Sequence, residues 1–229
     1  MTGPGHSIDS FRPGAQGRLT DYDLPRFPGD TLFDKLARAV CAAGCLPRKE
    51  LYEAWEVARR VRRLFRGGRI VDLAAGHGLL AQALLLLDNT SPLAVAVDRR
   101  LPPSARKLQA EVTAAWPRLA GRVSFLSGDL DSFAILPTDV VVSAHACGAL
   151  TDVVIERAAS AGARLAVLPC CHHHRSADAR KFAGWMDGAL AIDVARAQRL
   201  ELAGYRVWTQ ALPAEITPKG RLLLARRLI

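Results

Sequence analysis

The sequence predicts an α/β fold, with a mainly parallel sheet covered by helices on both faces and a helical extension before it. After Gly68, continuous apolar runs of four to six residues alternate with helical segments. A glycine-rich turn follows the first of these runs. Strands without polar alternation, separated by helices, are typical of a sheet that is buried on both sides.

Three parts are predicted along the chain. Residues 1–30 are rich in Gly, Pro and Asp and predict an irregular N-terminal arm. Residues 31–66 predict a helical extension, in which Thr31 caps the first helix and Asp34 occupies its third position. Pro47 breaks this helix, and a second one is predicted over 48–66. Residues 67–229 form the predicted sheet domain.

Within that domain, hydrophobic periodicity assigns each element in turn. Strands are predicted over 69–74, 93–97, 123–126, 139–143 and 164–168, and helices over 79–88, 102–116 and 150–161. The tail contains two further apolar runs, 205–212 and 221–228, separated by Pro213, Pro218 and Gly220. Because no helix fits between these two runs, they predict a hairpin that adds one antiparallel strand to the sheet.

Composition narrows the class of protein. The chain has 229 residues, of which 50% are hydrophobic and 23% are charged, which excludes disordered and fibrous classes and suits one domain. No apolar run reaches the ~18 residues that a membrane span requires, and the first residues do not resemble a signal peptide. We therefore expect a cytoplasmic protein without a membrane partner. The odd number of cysteines, five, argues against a disulfide framework.

The charge is strongly basic, at +9, with 26 arginines and five lysines. Arginine favours bidentate contact with phosphate, but a coding bias would give the same composition, and both explanations stay open. Five arginines fall together on the second predicted helix, and we call them the arginine face: Arg59, Arg60, Arg62, Arg63 and Arg66. They form either a solvated surface or a surface that contacts phosphates.

A nucleotide site is predicted at the first strand-to-helix turn. Asp72 ends the strand, and Gly76 and Gly78 form the turn into the following helix. Glycine allows a ligand to approach the backbone closely, and a helix N-terminus favours an anion. Asp98 follows the second strand, 20 residues after Gly78, where a carboxylate can bind a ribose diol.

The spacing of Asp72, Ala74, Gly76 and Gly78 resembles the S-adenosylmethionine-binding motif of the class I methyltransferases, which usually have glycine in place of Ala74. The resemblance implies a Rossmann-like methyltransferase sheet and S-adenosyl-L-methionine as cofactor. A further acid follows the third strand and, by resemblance, faces the adenine amine. The implied cofactor-binding residues are Asp72, Ala74, Gly76, Gly78, Asp98, Arg99, Asp129 and Leu130.

Two further segments concentrate histidine and cysteine at predicted strand ends. His145, Cys147, Gly148, Thr151 and Asp152 follow the fourth strand, and Cys-Cys-His-His over 170–173 follows the fifth. This pair of motifs resembles one branch of methyltransferases, which includes the acceptor-stem tRNA 2′-O-methyltransferases and the glutathione S-transferase C-terminal domain-containing protein. The resemblance covers about residues 69–175. It implies RNA as partner and a tRNA ribose 2′-hydroxyl as the narrower acceptor.

The same cysteines could bind a metal, since thiolates are ligands for zinc and iron. Adjacent residues in an extended chain point in opposite directions, and the spacing matches no standard zinc module. We therefore expect no metal, and we expect the substrate-binding residues to be Cys147, Cys170, Cys171, Arg60 and Arg63.

A hydroxyl acceptor must lose its proton during methyl transfer, and imidazole is an effective base at neutral pH. His145 is the first candidate for this role, and His172 and His173 are the second. Each could instead form a structural hydrogen bond that orders its loop. Methyl transfer to a protein or a small molecule, and a non-catalytic module that binds cofactor or RNA, remain alternatives. The oligomeric state stays open.

Overall fold

The computed structural model describes residues 11–172 and 176–228. Residues 1–10 of the predicted arm lie outside this range, and so does His173. The strands are β1 (Ile70–Leu73), β2 (Ala94–Asp98), β3 (Val123–Ser127), β4 (Val140–Ser143), β5 (Arg164–Val167), β6 (Tyr205–Ala211) and β7 (Arg221–Arg227). The helices are α1 (Leu32–Ala43), α2 (Arg48–Leu64), α3 (Leu79–Leu87), α4 (Ser104–Ala115), α5 (Ala149–Ser160), α6 (Ala177–Lys181) and α7 (Gly188–Leu202).

The strands form one seven-stranded sheet in the order β3-β2-β1-β4-β5-β7-β6. Strands β1 to β5 pair in parallel, whereas β7 is antiparallel to both β5 and β6. The predicted α/β fold with one antiparallel strand from a C-terminal hairpin is therefore confirmed. Among the described residues, no helix interrupts the segment between β6 and β7.

Apolar residues on both faces of the sheet form the core. One face packs under α1 to α4 and the other under α5 and α7. The predicted cap of α1 is confirmed, because the Thr31 side chain accepts a hydrogen bond from the Asp34 N–H at 3.1 Å. Helix α2 contributes Leu51 and Val61 to the same core as α3, so the helical extension is packed directly on the sheet domain.

Two helices lie where sequence periodicity predicted none, α6 and α7. Both have side-chain caps, from Ser176 and Asp187 respectively. The apolar stripe of α7 is interrupted by Arg196, which is 1% exposed. A charged residue on the buried face weakens the periodicity by which helices are recognised, so the cap residues were the stronger signal.

The arm is anchored where the structure describes it. Leu19 and Phe27 are buried in the core, and Arg18 forms a bridge with Pro47. None of the helices in the described ranges is long and apolar enough to cross a membrane.

Candidate active site

The three predicted acids lie together at the carboxyl edge of three neighbouring strands. Asp72 is in β1, Asp98 ends β2, and Asp129 follows β3, and these strands are adjacent in the sheet. The Gly128 N–H donates to the Asp98 carbonyl at 3.1 Å, which joins the turns after β2 and β3. Carboxyl ends of parallel strands are where open α/β sheets bind ligands.

Asp98 holds the glycine turn in place. One carboxylate oxygen accepts the Gly76 N–H at 2.9 Å, and the other accepts the Arg100 N–H at 2.9 Å. Gly76 has φ +53°, and a Cβ built there would meet no atom within 4 Å. The turn therefore opens onto free space beside a carboxylate that still has lone pairs to offer.

Two other turn residues also have positive φ. Gly78 caps α3 with φ +69°, and a Cβ at this position would lie 2.6 Å from the Phe125 ring. Glycine is thus required there by both conformation and packing. Ala74 has φ +56° and is the one non-glycine residue with positive φ in the described ranges. The departure from glycine at this position therefore strains the backbone.

Asp72 lies beneath the turn and is 2% exposed. Its carboxyl accepts the Ala81 N–H at 3.2 Å, in the first turn of α3. Burial raises the pKa of Asp72 to about 8; the Ala81 N–H opposes this rise, and the charge of Asp98 adds to it. The carboxyl therefore supports the helix start while carrying a strong preference for its neutral form.

The remaining predicted cofactor residues differ in exposure. Leu130 is buried, whereas Arg99 and Asp129 are exposed at the rim of the site.

Ser143, which sequence analysis did not single out, ends β4 beside β1 and is 1% exposed. Its hydroxyl has no hydrogen-bond partner among the described residues. Only its place at a strand end could have indicated it, because serine is common in strands of every kind.

His145 follows β4 and is half-buried. Strand β4 pairs in parallel with β1, so His145 and the glycine turn leave the sheet at the same edge. Burial lowers the pKa of His77 in that turn, and His145 adds to this shift. The His77 ring bonds to the Ser104 hydroxyl at 3.0 Å. The structure therefore brings His145 to the same edge of the sheet as the glycine turn.

His172 is held by a hydrogen bond to a network of ion pairs. Its Nε2 lies 2.7 Å from Asp193, and its side chain is 3% exposed. Arg196 joins Asp193 to Asp152 and also donates to the Gly148 carbonyl at 3.2 Å. These contacts connect the loops after β4 and β5 through α7. Sequence analysis missed Asp193 and Arg196 because no motif marks them and their partners are distant in the chain. Asp193 lies 21 residues from His172, and Arg196 lies 44 residues from Asp152.

In the motif after β4, Thr151 and Asp152 form hydrogen bonds that hold the loop in place. The Thr151 hydroxyl donates to the Ala146 carbonyl at 2.5 Å, and Asp152 binds Arg196 at 2.7 Å. The Gly148 N–H donates to the Cys171 carbonyl at 3.1 Å. Thr151 and Asp152 thus fix the loop that carries His145 and Cys147.

Three predicted substrate-binding cysteines converge at this place. The sulfurs of Cys147, Cys170 and Cys171 all lie within 4.8 Å of one another, and those of Cys147 and Cys170 are 2.9 Å apart. The expectation that Cys170 and Cys171 point apart is wrong. Strand β5 ends at Val167, so these residues are not in extended sheet geometry and the alternation of side chains does not apply.

The arginine face lies on and just beyond α2. Arg60 pairs with Glu56 and donates to the carbonyl of Ala211, the last residue of β6, at 3.2 Å. Because β6 runs in the same direction as β1 to β5, this contact lies at the carboxyl edge of the sheet. The Arg66 carbonyl accepts from Arg164 at the start of β5, which is the opposite edge. The face therefore extends from the carboxyl edge of the sheet at β6 to the opposite edge at β5.

A hollow of about 240 Å³ opens on this face. It is lined by Glu56, Arg59, Arg60, Arg63, Gln210 and Ala211. Arg59 pairs with Glu56 at 2.9 Å, while Arg63 is exposed. Three guanidinium groups around one carboxylate leave an excess of positive charge in this hollow.

Comparison with solved structures shows the fold. The chain is similar to an O-methyltransferase family protein from Burkholderia thailandensis, with 21% identity over 90% of this chain and a TM-score of 0.52. It is also similar to a pyocyanin biosynthetic protein, with 19% identity over 93% of this chain and a TM-score of 0.51. This chain covers 62% of each of those two chains. A tRNA methyltransferase from B. subtilis matches 77% of this chain and 65% of its own, with 18% identity and a TM-score of 0.49.

Sequence comparison gives one match. A family described as a methyltransferase domain matches residues 49–178, which is more than half of the chain. The matched range contains the glycine turn, the three acids at the strand ends, His145 and the three clustered cysteines. No curated protein matches the sequence significantly.

Proposed function

Because the chain belongs to this methyltransferase family, we propose that it binds S-adenosylmethionine at the glycine turn and transfers the methyl group to RNA. The observation that carries the proposal is the pairing of Gly76 with Asp98. It places an ordered carboxylate beside an open stretch of backbone at the carboxyl edge of β1 and β2. The family match indicates methyl transfer in general, and the cofactor site and the RNA acceptor are what this proposal adds.

The residues fit the cofactor. Asp98 keeps lone pairs free to accept the hydroxyls of a ribose, and the open space at Gly76 admits a ligand against the backbone. The unpartnered Ser143 hydroxyl provides a further polar group at the end of β4. Asp129, at the rim, is exposed and can accept from an adenine amine. When bound, S-adenosylmethionine supplies an activated methyl group on a sulfonium.

Calorimetry tests the cofactor site. Replacing Asp98 with alanine should weaken S-adenosylmethionine binding about 10- to 100-fold, since it removes charge-assisted hydrogen bonds worth about 1 to 3 kcal/mol. Asp131→Ala is the matched control, because this exposed acid follows β3 outside the predicted set. Unchanged affinity in a folded Asp98→Ala protein would contradict the site.

Charge and geometry together favour RNA as the acceptor. The chain carries a net charge of +9, and the arginine face begins at the same sheet edge as His145. Its hollow of about 240 Å³ offers Arg59, Arg60 and Arg63 to a phosphate. Protein and small-molecule acceptors do not require such a basic surface. The motifs after β4 and β5 support a tRNA ribose 2′-hydroxyl as the narrower acceptor.

His145 is the proposed base for that hydroxyl. It is half-buried and follows β4 at the same edge of the sheet as the glycine turn, where a proton acceptor is needed once the hydroxyl is aligned with the methyl group. The Nε2 of His172 is bonded to Asp193, so we assign His172 to positioning of the loop after β5. His145→Asn should lower turnover about 100-fold while leaving cofactor affinity unchanged.

Filter binding tests the RNA surface. Changing Arg60 and Arg63 to glutamate should weaken RNA binding and make it less sensitive to salt. The slope of the logarithm of the binding constant against the logarithm of salt concentration should become shallower by about 0.7 to 0.9 for each phosphate that the variant no longer neutralises. Cofactor affinity should stay the same. Lys35→Glu with Arg106→Glu is the control, since it changes the charge equally on α1 and α4. RNA binding that is indifferent to the Arg60 and Arg63 reversal would make a protein or small-molecule acceptor the better explanation.

A further inference from the structure

The loops after β4 and β5 bring three thiols to one point. We propose that Cys147, Cys170 and Cys171 bind a thiophilic divalent ion, with zinc as the first candidate. Their three sulfurs lie within 4.8 Å of one another, although Cys147 is 23 residues before Cys170 in the chain. The proposal concerns residues for which sequence analysis predicted substrate binding and no metal, and it does not depend on the identity of the methyl acceptor.

Packing does not explain the cluster. Cysteines that serve as small apolar side chains are buried, whereas Cys147 and Cys171 are exposed. The two loops are already joined without the thiols, by the Gly148 N–H bond to the Cys171 carbonyl and by the contacts of Arg196. Two exposed thiols and one half-buried thiol therefore need another reason to face one another.

The spacing suits a tetrahedral ion after small side-chain rotations. Zinc–sulfur bonds of about 2.3 Å place the sulfurs of a tetrahedral site about 3.8 Å apart. The contact of 2.9 Å between Cys147 and Cys170 would open by about 0.9 Å, and the widest pair, at no more than 4.8 Å, would close by a similar amount. Since two of the cysteines are exposed, the fourth position is left to water, as in sites with three protein ligands.

A disulfide between Cys147 and Cys170 is the competing fate of the same sulfurs. Their separation of 2.9 Å is longer than the S–S bond of about 2.05 Å, and bond formation would require an oxidant to accept two electrons while both thiol protons leave. It would also leave Cys171 without a role. The two outcomes differ in metal content and in the number of free thiols, so one preparation distinguishes them.

The test uses the full chain without an affinity tag, purified under reducing conditions and stripped with a chelator. After incubation with zinc chloride and removal of the excess, elemental analysis should find about one zinc ion per chain. Cys147→Ser with Cys171→Ser should bind less than about one tenth of this amount. Cys45→Ser is the control and should retain the zinc, because Cys45 lies away from the cluster and contacts Ser104.

Cobalt substitution of the unmutated protein gives a second measurement that needs no variant. Tetrahedral coordination by thiolates should produce sulfur-to-cobalt charge-transfer absorption, and zinc should displace it. The proposal is overturned if the unmutated protein takes up no zinc, if the double variant folds and binds as much zinc as the unmutated protein, or if cobalt shows only octahedral absorption. A disulfide between Cys147 and Cys170 in protein that takes up no zinc would assign the pair to redox chemistry.

Discussion

Replacing Asp72 with asparagine should remove a pH-dependent loss of stability. Asp72 is 2% exposed, and burial raises its pKa to about 8. Asparagine has the same shape and can accept the same Ala81 N–H, but it cannot ionise. The substitution therefore changes the charge behaviour of one buried group with little change in packing.

The sign and size follow from proton linkage. Above pH ~4 the unfolded chain releases the Asp72 proton, whereas the folded chain keeps it until the pH approaches about 8. The contribution of this group to the free energy of unfolding is thus largest below pH ~4 and falls by about 1.4 kcal/mol per pH unit through this window. Between pH ~5 and ~7 the free energy of unfolding of the unmutated protein should fall by about 2.5 kcal/mol through this group, and the asparagine variant should not show this fall.

Urea unfolding followed by circular dichroism measures this difference. The free energy of unfolding of the variant minus that of the unmutated protein should rise by about 2.5 kcal/mol from pH ~5 to ~7. Taking the difference cancels the titration of groups that do not interact with Asp72. Asp131→Asn, on an exposed acid, should give a flat difference. A flat or falling difference for Asp72→Asn would refute the raised pKa.

Three further substitutions test the framework around the site. Ala74→Gly should leave stability unchanged or raise it by about 0.5 to 1 kcal/mol in thermal unfolding, because it relieves φ +56°, whereas Ala75→Gly should lower it. Burial raises the pKa of Asp88, but four hydrogen bonds lower it to about 2. Asp88→Ala should therefore lower the free energy of unfolding by about 2 to 4 kcal/mol near neutral pH. This contribution of Asp88 should disappear as the pH falls from about 4 to about 2. Arg196→Ala should cost about 1 to 3 kcal/mol in urea unfolding, since it removes charge-assisted hydrogen bonds to Asp152 and Asp193, which keep Arg199 and Arg221 as partners, and no measurable loss would contradict that role.

The sheet could be predicted from the sequence because its signals are local. Strands β1, β2, β4 and β5 lie in short, mainly apolar runs, and the prolines and glycine between β6 and β7 exclude a connecting helix. The acids were found for the same reason, since each marks the end or the carboxyl side of its own strand. Helix α7 was missed because Arg196 occupies its buried face, where periodicity expects an apolar residue.

Contacts between distant segments could not be predicted. The bond between His172 and Asp193 joins residues 21 positions apart, and the approach of Cys147 to Cys170 depends on how two loops leave neighbouring strands. Strand alternation gave the wrong geometry for Cys170 and Cys171, because the strand ends before them. Local spacing determines element type and strand ends, whereas loop geometry depends on hydrogen bonds such as that of Gly148 with Cys171.

Methyl transfer itself is the most direct test of the proposed function. The purified chain should be incubated with S-adenosylmethionine labelled in its methyl group, together with total RNA or total protein, and the RNA digested to nucleosides to locate the label. We predict that the label enters RNA, on a ribose 2′-hydroxyl, and that Asp98→Ala, at a cofactor concentration below its dissociation constant, and His145→Asn each lower the initial rate of labelling at least about 10-fold while Asp131→Ala does not. Label in protein alone, or equal labelling of RNA by the Asp98→Ala and His145→Asn variants, would contradict the account.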